Sequence, residues 1–159
     1  MDPFEVAFAP LFARSYRAAS RLLGDRTDAE DIAAEALSRA YTSWWRLRDH
    51  EHAEAWVLRV TTNLAIDVLR RRGRARTQPP VVAHADDRAE LRLVLVPLLH
   101  RLPKRQREVV GLRLLVDLSE RETATVLGIS QGSVKQHLHR AVGALRLTLP
   151  PETMEEVFA

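Results

Sequence analysis

Between Leu118 and Arg146 the chain reads LSERETATVLGISQGSVKQHLHRAVGALR. Ser130, Gln131, Ser133, Lys135, Gln136, His139 and Arg140 crowd the early turns of its second helical period. These side chains suit one kind of chemistry. Glutamine and basic residues carry the donors that read base edges or hold phosphates. Short serines at a helix start let a phosphate approach the free N–H groups, and the helix dipole favours it there. Two short helices around a glycine turn are the usual way to present such a helix to the major groove. A helical hairpin with a solvated polar face is the plainer alternative.

Other clusters are less pointed. Asp28, Asp31 and Glu35 share one face of a helical period. They fit a solvated face, a docking surface for a basic partner, or an acid–base site. No His or Lys stands where an acid–base pair would need it. His50-Glu51-His52 lacks the i, i+4 spacing that turns two imidazoles toward one ion, and reads as a polar loop. Arg105, Arg107 and Arg113 flank the hairpin, as phosphate contacts or as a solvated face. Trp44, Trp45 and Trp56 read as core, with Trp45 the most exposed. No phosphate loop, nucleophile elbow or triad is present, so no catalytic residue and no cofactor is expected.

The elements that must position these residues are helical. Asp2-Pro3 with Glu5 marks a helix start, and the period runs to Leu23 with Gly24 as its stop. Pro10 should kink or restart it. Thr27 and Glu30 match a capping box for the next helix. Its apolar stripe is Ala29, Ile32, Ala33, Ala36, Leu37, Ala40, Tyr41 and Trp44. A third helix is expected from about Ala53 to Arg72, with Gly73 as its stop. Its predicted stripe is Trp56, Val57, Val60, Leu64, Val68 and Leu69.

Residues 73–84, GRARTQPPVVAH, have two prolines and no amphipathic period. This predicts an all-α protein of two small helical domains joined by a flexible linker, the second a helix-turn-helix domain. The expected bounds are 1–73, a linker over 74–87, 88–149 and a short acidic tail over 150–159. Pro97 argues against one unbroken helix at the start of the second domain, and Pro103 opens the helix that follows. Ser119 with Glu122 forms a further capping box. Gly128 is the stop after Leu127, and Ser130 caps the last helix.

Composition narrows the classes. The chain has 159 residues, 46% hydrophobic and 28% charged, with a net charge of +3 and no cysteine. Disulfides and thiolate metal sites are therefore excluded. Charge breaks every apolar run before membrane-spanning length, and Asp2 and Glu5 stand where a basic leader would be. A cytoplasmic protein is expected. The charge is also unevenly spread: 1–69 hold 11 acids against 8 bases, while 101–149 hold 9 bases against 4 acids. A basic second half favours a polyanionic partner.

Three segments together resemble the RNA polymerase sigma factors of the extracytoplasmic-function (ECF) group. They are DAEDIAAEALSRAYTSW at 28–44, AWVLRVTTNLAIDVLRRR at 55–72, and 102–146. The resemblance implies a non-enzymatic initiation factor that binds core RNA polymerase and promoter DNA, under the control of an anti-sigma factor. It implies that Asp28, Asp31 and Glu35 dock on the polymerase. Trp56, Arg59, Asn63, Arg70, Arg71 and Arg72 would serve the melted minus-ten element. Loop 48–54 would take up an unstacked base, though it lacks an obvious aromatic. The helix from Ser130 to Arg140 would read the duplex minus-thirty-five element. Pro97 and Thr123 depart from the family pattern. A stand-alone helix-turn-helix regulator, with an N-terminal effector or dimerisation domain, is the competing expectation.

Overall fold

Helix starts and stops are set locally by side-chain caps, and the helices they delimit then bury their apolar faces together. The computed structural model describes residues 2–47, 50–75 and 95–152, all helix and turn, with no strand among them. Helix α1 is Pro3–Leu23, α2 is Arg26–Thr42, and α3 is His50–Ala75. A short 3₁₀ turn, Trp44–Arg46, follows α2. Residues 95–99 form α4. Helix α5 is Lys104–Val110, α6 is Glu120–Leu127, and α7 is Gln131–Arg146.

The caps of α1 match expectation. Asp2 and Glu5 form a reciprocal capping box, and Gly24 closes the helix at φ 68°. Pro10 does not break α1. It lies on the exposed face, so the hydrogen bond it forfeits is lost toward solvent, while Ala7 and Leu11 stay buried. The cap of α2 is not Thr27. Asp25 accepts from the Asp28 N–H at 2.9 Å, so the helix starts two residues earlier, at Arg26.

Helix α3 differs most. It already begins at His50, so 50–54 is helix rather than loop, and it passes through Gly73 without stopping. The residues it buries are Ala53, Val57, Leu58, Thr61, Thr62, Ala65, Ile66 and Leu69. Trp56, Val60, Leu64 and Val68, assigned to the predicted stripe, are only half-buried. The reason is that α3 is covered on two sides. Ala53 and Val57 join Phe4, Leu11, Leu37 and Ala40 in one cluster. Leu58, Ala65 and Leu69 join Leu22, Leu112, Leu115 and Leu145 in the other.

The second cluster runs unbroken from α1, α2 and α3 into the second half of the chain. Gly111 marks the seam, because the nearest atoms to a side chain placed there belong to Leu22, Thr62 and Ile66. Polar contacts also cross it. Arg14 reaches Glu54 at 2.6 Å and Glu122 at 3.5 Å, and Arg21 donates to the Val116 carbonyl at 2.7 Å. Deep between α1 and α3, the Thr61 hydroxyl donates to the Val57 carbonyl. That leaves Ser15 to donate to Thr61 at 2.6 Å.

Pro97 lies exposed among the helical residues 95–99. Helix α5 continues into a π-helical turn over Gly111–Leu115, closed by the Val116 N–H on the Gly111 carbonyl at 2.9 Å. Asp117 then adopts φ 66°, a conformation Asp tolerates better than most residues. The linker expected over 74–87 falls, from 76 onward, outside the described residues. So do the start of the second domain at 88 and the acidic tail from 153.

Candidate nucleic-acid interface

The interface is built on α6 and α7, and local chemistry sets both. Ser119 accepts from the Glu122 N–H at 3.1 Å, and Glu122 accepts from the Ser119 N–H at 2.8 Å. These bonds, with the cation of Arg14 nearby, hold the Glu122 carboxyl below its ordinary value; Ser119 is the larger cause. Gly128 ends α6 at φ 63°, which an L side chain adopts only under strain. Ser130 accepts from the Ser133 N–H at 3.1 Å and opens α7.

Helix α7 packs against α5 and α6. Val134, Ala141 and Leu145 are buried, with Leu138 and Val142 half-buried beside them. This fixes which face turns outward. Ser130, Gln131, Lys135, Gln136, His139 and Arg140 are exposed, and Ser133 is half-buried against the Ser130 hydroxyl at 2.9 Å. Every residue expected to read DNA thus falls on or beside one exposed face at the start of α7. Lys135 leans toward Glu120 at 3.6 Å. An exposed pair of that kind is worth about 0–1 kcal/mol, so a phosphate can displace it readily.

The flanking arginines are differently used. Arg105 pairs at 2.9 Å with Glu108, whose carboxylate is buried. Arg107 donates to the Leu102 carbonyl at 3.2 Å. Arg113 donates to the Leu118 carbonyl. All three are half-buried and hold the second half together, which leaves them poorly placed as phosphate contacts. Sequence reasoning missed this because a buried acid and uncapped carbonyls cannot be read from a helical period.

In the first half, Trp56, Arg59 and Asn63 are half-buried on α3, and Arg70 and Arg71 are exposed near its end. Arg70 lies 3.5 Å from Asp67. Arg72 pairs with Asp28, so the arginine end of α3 meets the acidic face of α2. Asp31 and Glu35 are exposed, and Glu35 holds Arg39 at 2.7 Å. Among the described residues, no group of three or more His, Cys, Asp or Glu could hold a metal ion. No described helix is long and apolar enough to cross a membrane.

A capped helix-turn-helix with an exposed polar and basic reading face, packed on a helical first half, defines a DNA-binding protein of the helix-turn-helix class. Comparison narrows it. Residues 11–75 match the Sigma-70 region 2 model, and 92–145 match Sigma-70, region 4. The chain is 38% identical over 135 residues to the RNA polymerase sigma-E factor of Streptomyces coelicolor, covering 82% of this chain and 76% of that protein. It is 36% identical over 148 residues to the ECF RNA polymerase sigma factor SigL of Mycobacterium tuberculosis, covering 84% and 81%.

Among solved structures it resembles CnrH in complex with the cytosolic domain of CnrY, at 27% identity and TM-score 0.54 over 91% of this chain and 88% of that one. The fold also matches the sigma factor RpoE of Bartonella quintana in its complex with the anti-sigma factor NepR, at 19% identity and TM-score 0.59 over the whole of both chains. The chain belongs to the ECF sigma factors of the sigma-70 family. The region 2 match accounts for the half that a stand-alone regulator leaves unexplained.

Proposed function

We propose that this sigma factor binds core RNA polymerase and directs it to promoters, with each half of the chain taking one DNA element. The second half reads the duplex minus-thirty-five element through Ser130–Arg140. The first half, ending near 73, docks on the polymerase through Asp28, Asp31 and Glu35. It holds the melted minus-ten strand through Trp56, Arg59, Asn63 and Arg70–Arg72. Residues 74–87 serve as the tether. The chain performs no chemistry itself, since bond formation belongs to the polymerase. It works where polymerase and chromosome lie, in the cytoplasm, and an anti-sigma factor is its expected regulator.

The observation that carries this reading is the exposure of Ser130, Gln131, Lys135, Gln136, His139 and Arg140 on α7 and its cap, in a chain that matches both sigma regions. Two small readers on one polymerase also gain from tethering, because the second contact forms at high effective concentration.

Run-off transcription with core polymerase tests the function, and footprinting tests the residues. Lys135→Ala and Arg140→Ala should each weaken promoter binding by about 1–3 kcal/mol where they touch bases. An upstream footprint unchanged by both would exclude α7 as the reader. Tight operator binding by the free chain, without affinity for core polymerase, would overturn the whole assignment.

A further inference from the structure

Trp45 is the largest apolar side chain left open in the described first half. It is 63% exposed, while Trp44 beside it is half-buried. Its position is not loose. The 3₁₀ turn is closed by the Arg46 N–H on the Ser43 carbonyl and the Leu47 N–H on the Trp44 carbonyl, each at 2.9 Å. Trp44 meets Phe4 edge-on at 5.1 Å between ring centroids. Leu47, two residues on, is buried. Anchors on both sides therefore hold the Trp45 indole outward.

The ring is also dressed for a particular ligand. The Arg46 guanidinium lies 4.5 Å from its centroid, over one face. An aromatic face with a cation beside it is how proteins hold single-stranded nucleic acid: the base stacks, and the cation meets the backbone phosphate. An apolar protein partner would need no cation there. The pair stands just before 48–54, a segment with no Phe, Tyr or Trp of its own. One acid of that segment, Glu54, is already neutralised by Arg14 at 2.6 Å.

We propose that Trp45, with Arg46 on its ring, is a stacking platform for an unpaired base of the melted promoter strand. This rests on the reading that the first half holds melted DNA. The platform supplies the aromatic surface that 48–54 lacks. Stacking is tolerant of base identity, so Trp45 adds affinity for opened DNA rather than sequence choice.

The test uses holoenzyme, assembled from core polymerase and the full chain, on a promoter pre-opened as a mismatch bubble across the minus-ten element. Trp45→Ala should lower affinity for the bubble about tenfold, within the range for losing one base–aromatic stack. Trp45→Phe should restore most of it. Affinity for core polymerase and the footprint on the duplex upstream element should not change in either variant. Bubble affinity unchanged in Trp45→Ala would overturn the proposal. So would a loss of core affinity instead, which would make Trp45 a polymerase contact. Arg59→Ala and Asn63→Ala separate the two levels. If they weaken the bubble complex and Trp45→Ala does not, only the platform fails. If none of the three does, the melted-strand role of the first half fails with it.

Discussion

Two residues show how single groups tune this fold. Thr123 is fully buried on α6, and its hydroxyl finds no partner among the described residues. An unsatisfied buried polar group costs about 1–3 kcal/mol, whereas a methyl of the same shape costs nothing. Thr123→Val should therefore raise stability by about 1 kcal/mol in a denaturant titration. A fall would mean that an ordered water completes the hydroxyl. Glu122 gives a pH signature instead. Its carboxyl is held below the ordinary value of 4.5 by the Ser119 bonds and then by Arg14. A lowered folded pKa lends stability that is full above the unfolded value and lost as pH falls through the folded one. In Glu122→Gln the amide can still accept from Ser119, but the charge is gone. Wild type should thus be the more stable of the two at neutral pH. The difference should close below about pH 4.5, as urea melts across pH 3–7 would register. A difference that persists at pH 3 would assign it to packing rather than charge.

At the scale of elements, the same substitution should act with opposite sign at two glycines of one motif. Gly128 sits at φ 63° with open space around it, so an added methyl meets no atom and the whole cost is backbone strain. Gly128→Ala should cost about 1–2 kcal/mol. Gly143 lies inside α7, also in open space, where alanine is the better helix former. Gly143→Ala should add about 0.5–1 kcal/mol. Equal effects at the two sites, read by thermal melts, would contradict the left-handed turn between α6 and α7. That turn was legible in the sequence because its signals are local: Ser119 with Glu122, Gly128, Ser130. The same holds for Asp2 and Gly24. What was not legible depends on remote neighbours. The face α3 buries is set by helices on both of its sides, so a single best stripe through Val60 and Leu64 misplaced it. Gly73 failed as a stop, and Pro10 did not interrupt its helix, since local breakers are weak priors. Arg107 and Arg113 were read as phosphate contacts or a solvated face, although the Leu102 and Leu118 backbone carbonyls, five residues before and after them respectively, claim them.

At the scale of the molecule, the question is what keeps the two halves together. Charged contacts and an apolar seam both cross the boundary, and magnitudes decide between them. Arg14, with its carboxylate partners, is more than a third exposed, and a pair of that kind contributes about 0–1 kcal/mol. Leu22, Leu58 and Leu112 are buried along the seam, and burying such a side chain is worth about 1.5–3 kcal/mol each. The apolar seam should therefore win. Gly111 is the place to test it, because its surroundings come from the other half: Leu22, Thr62 and Ile66 stand 3.7–3.8 Å from where a Cβ would be. Alanine fits that space in ordinary contact, and a longer side chain does not. Gly111→Ala should keep the halves closed, and Gly111→Leu should force them apart while each keeps its helices. Arg14→Glu sets a third carboxylate beside Glu54 and Glu122, yet it should expand the chain little, as should high salt. Small-angle scattering with circular dichroism distinguishes the cases: a larger radius of gyration at constant helicity in Gly111→Leu alone. Expansion in Arg14→Glu, reproduced by salt in the wild type, would instead make the charged contacts the clasp.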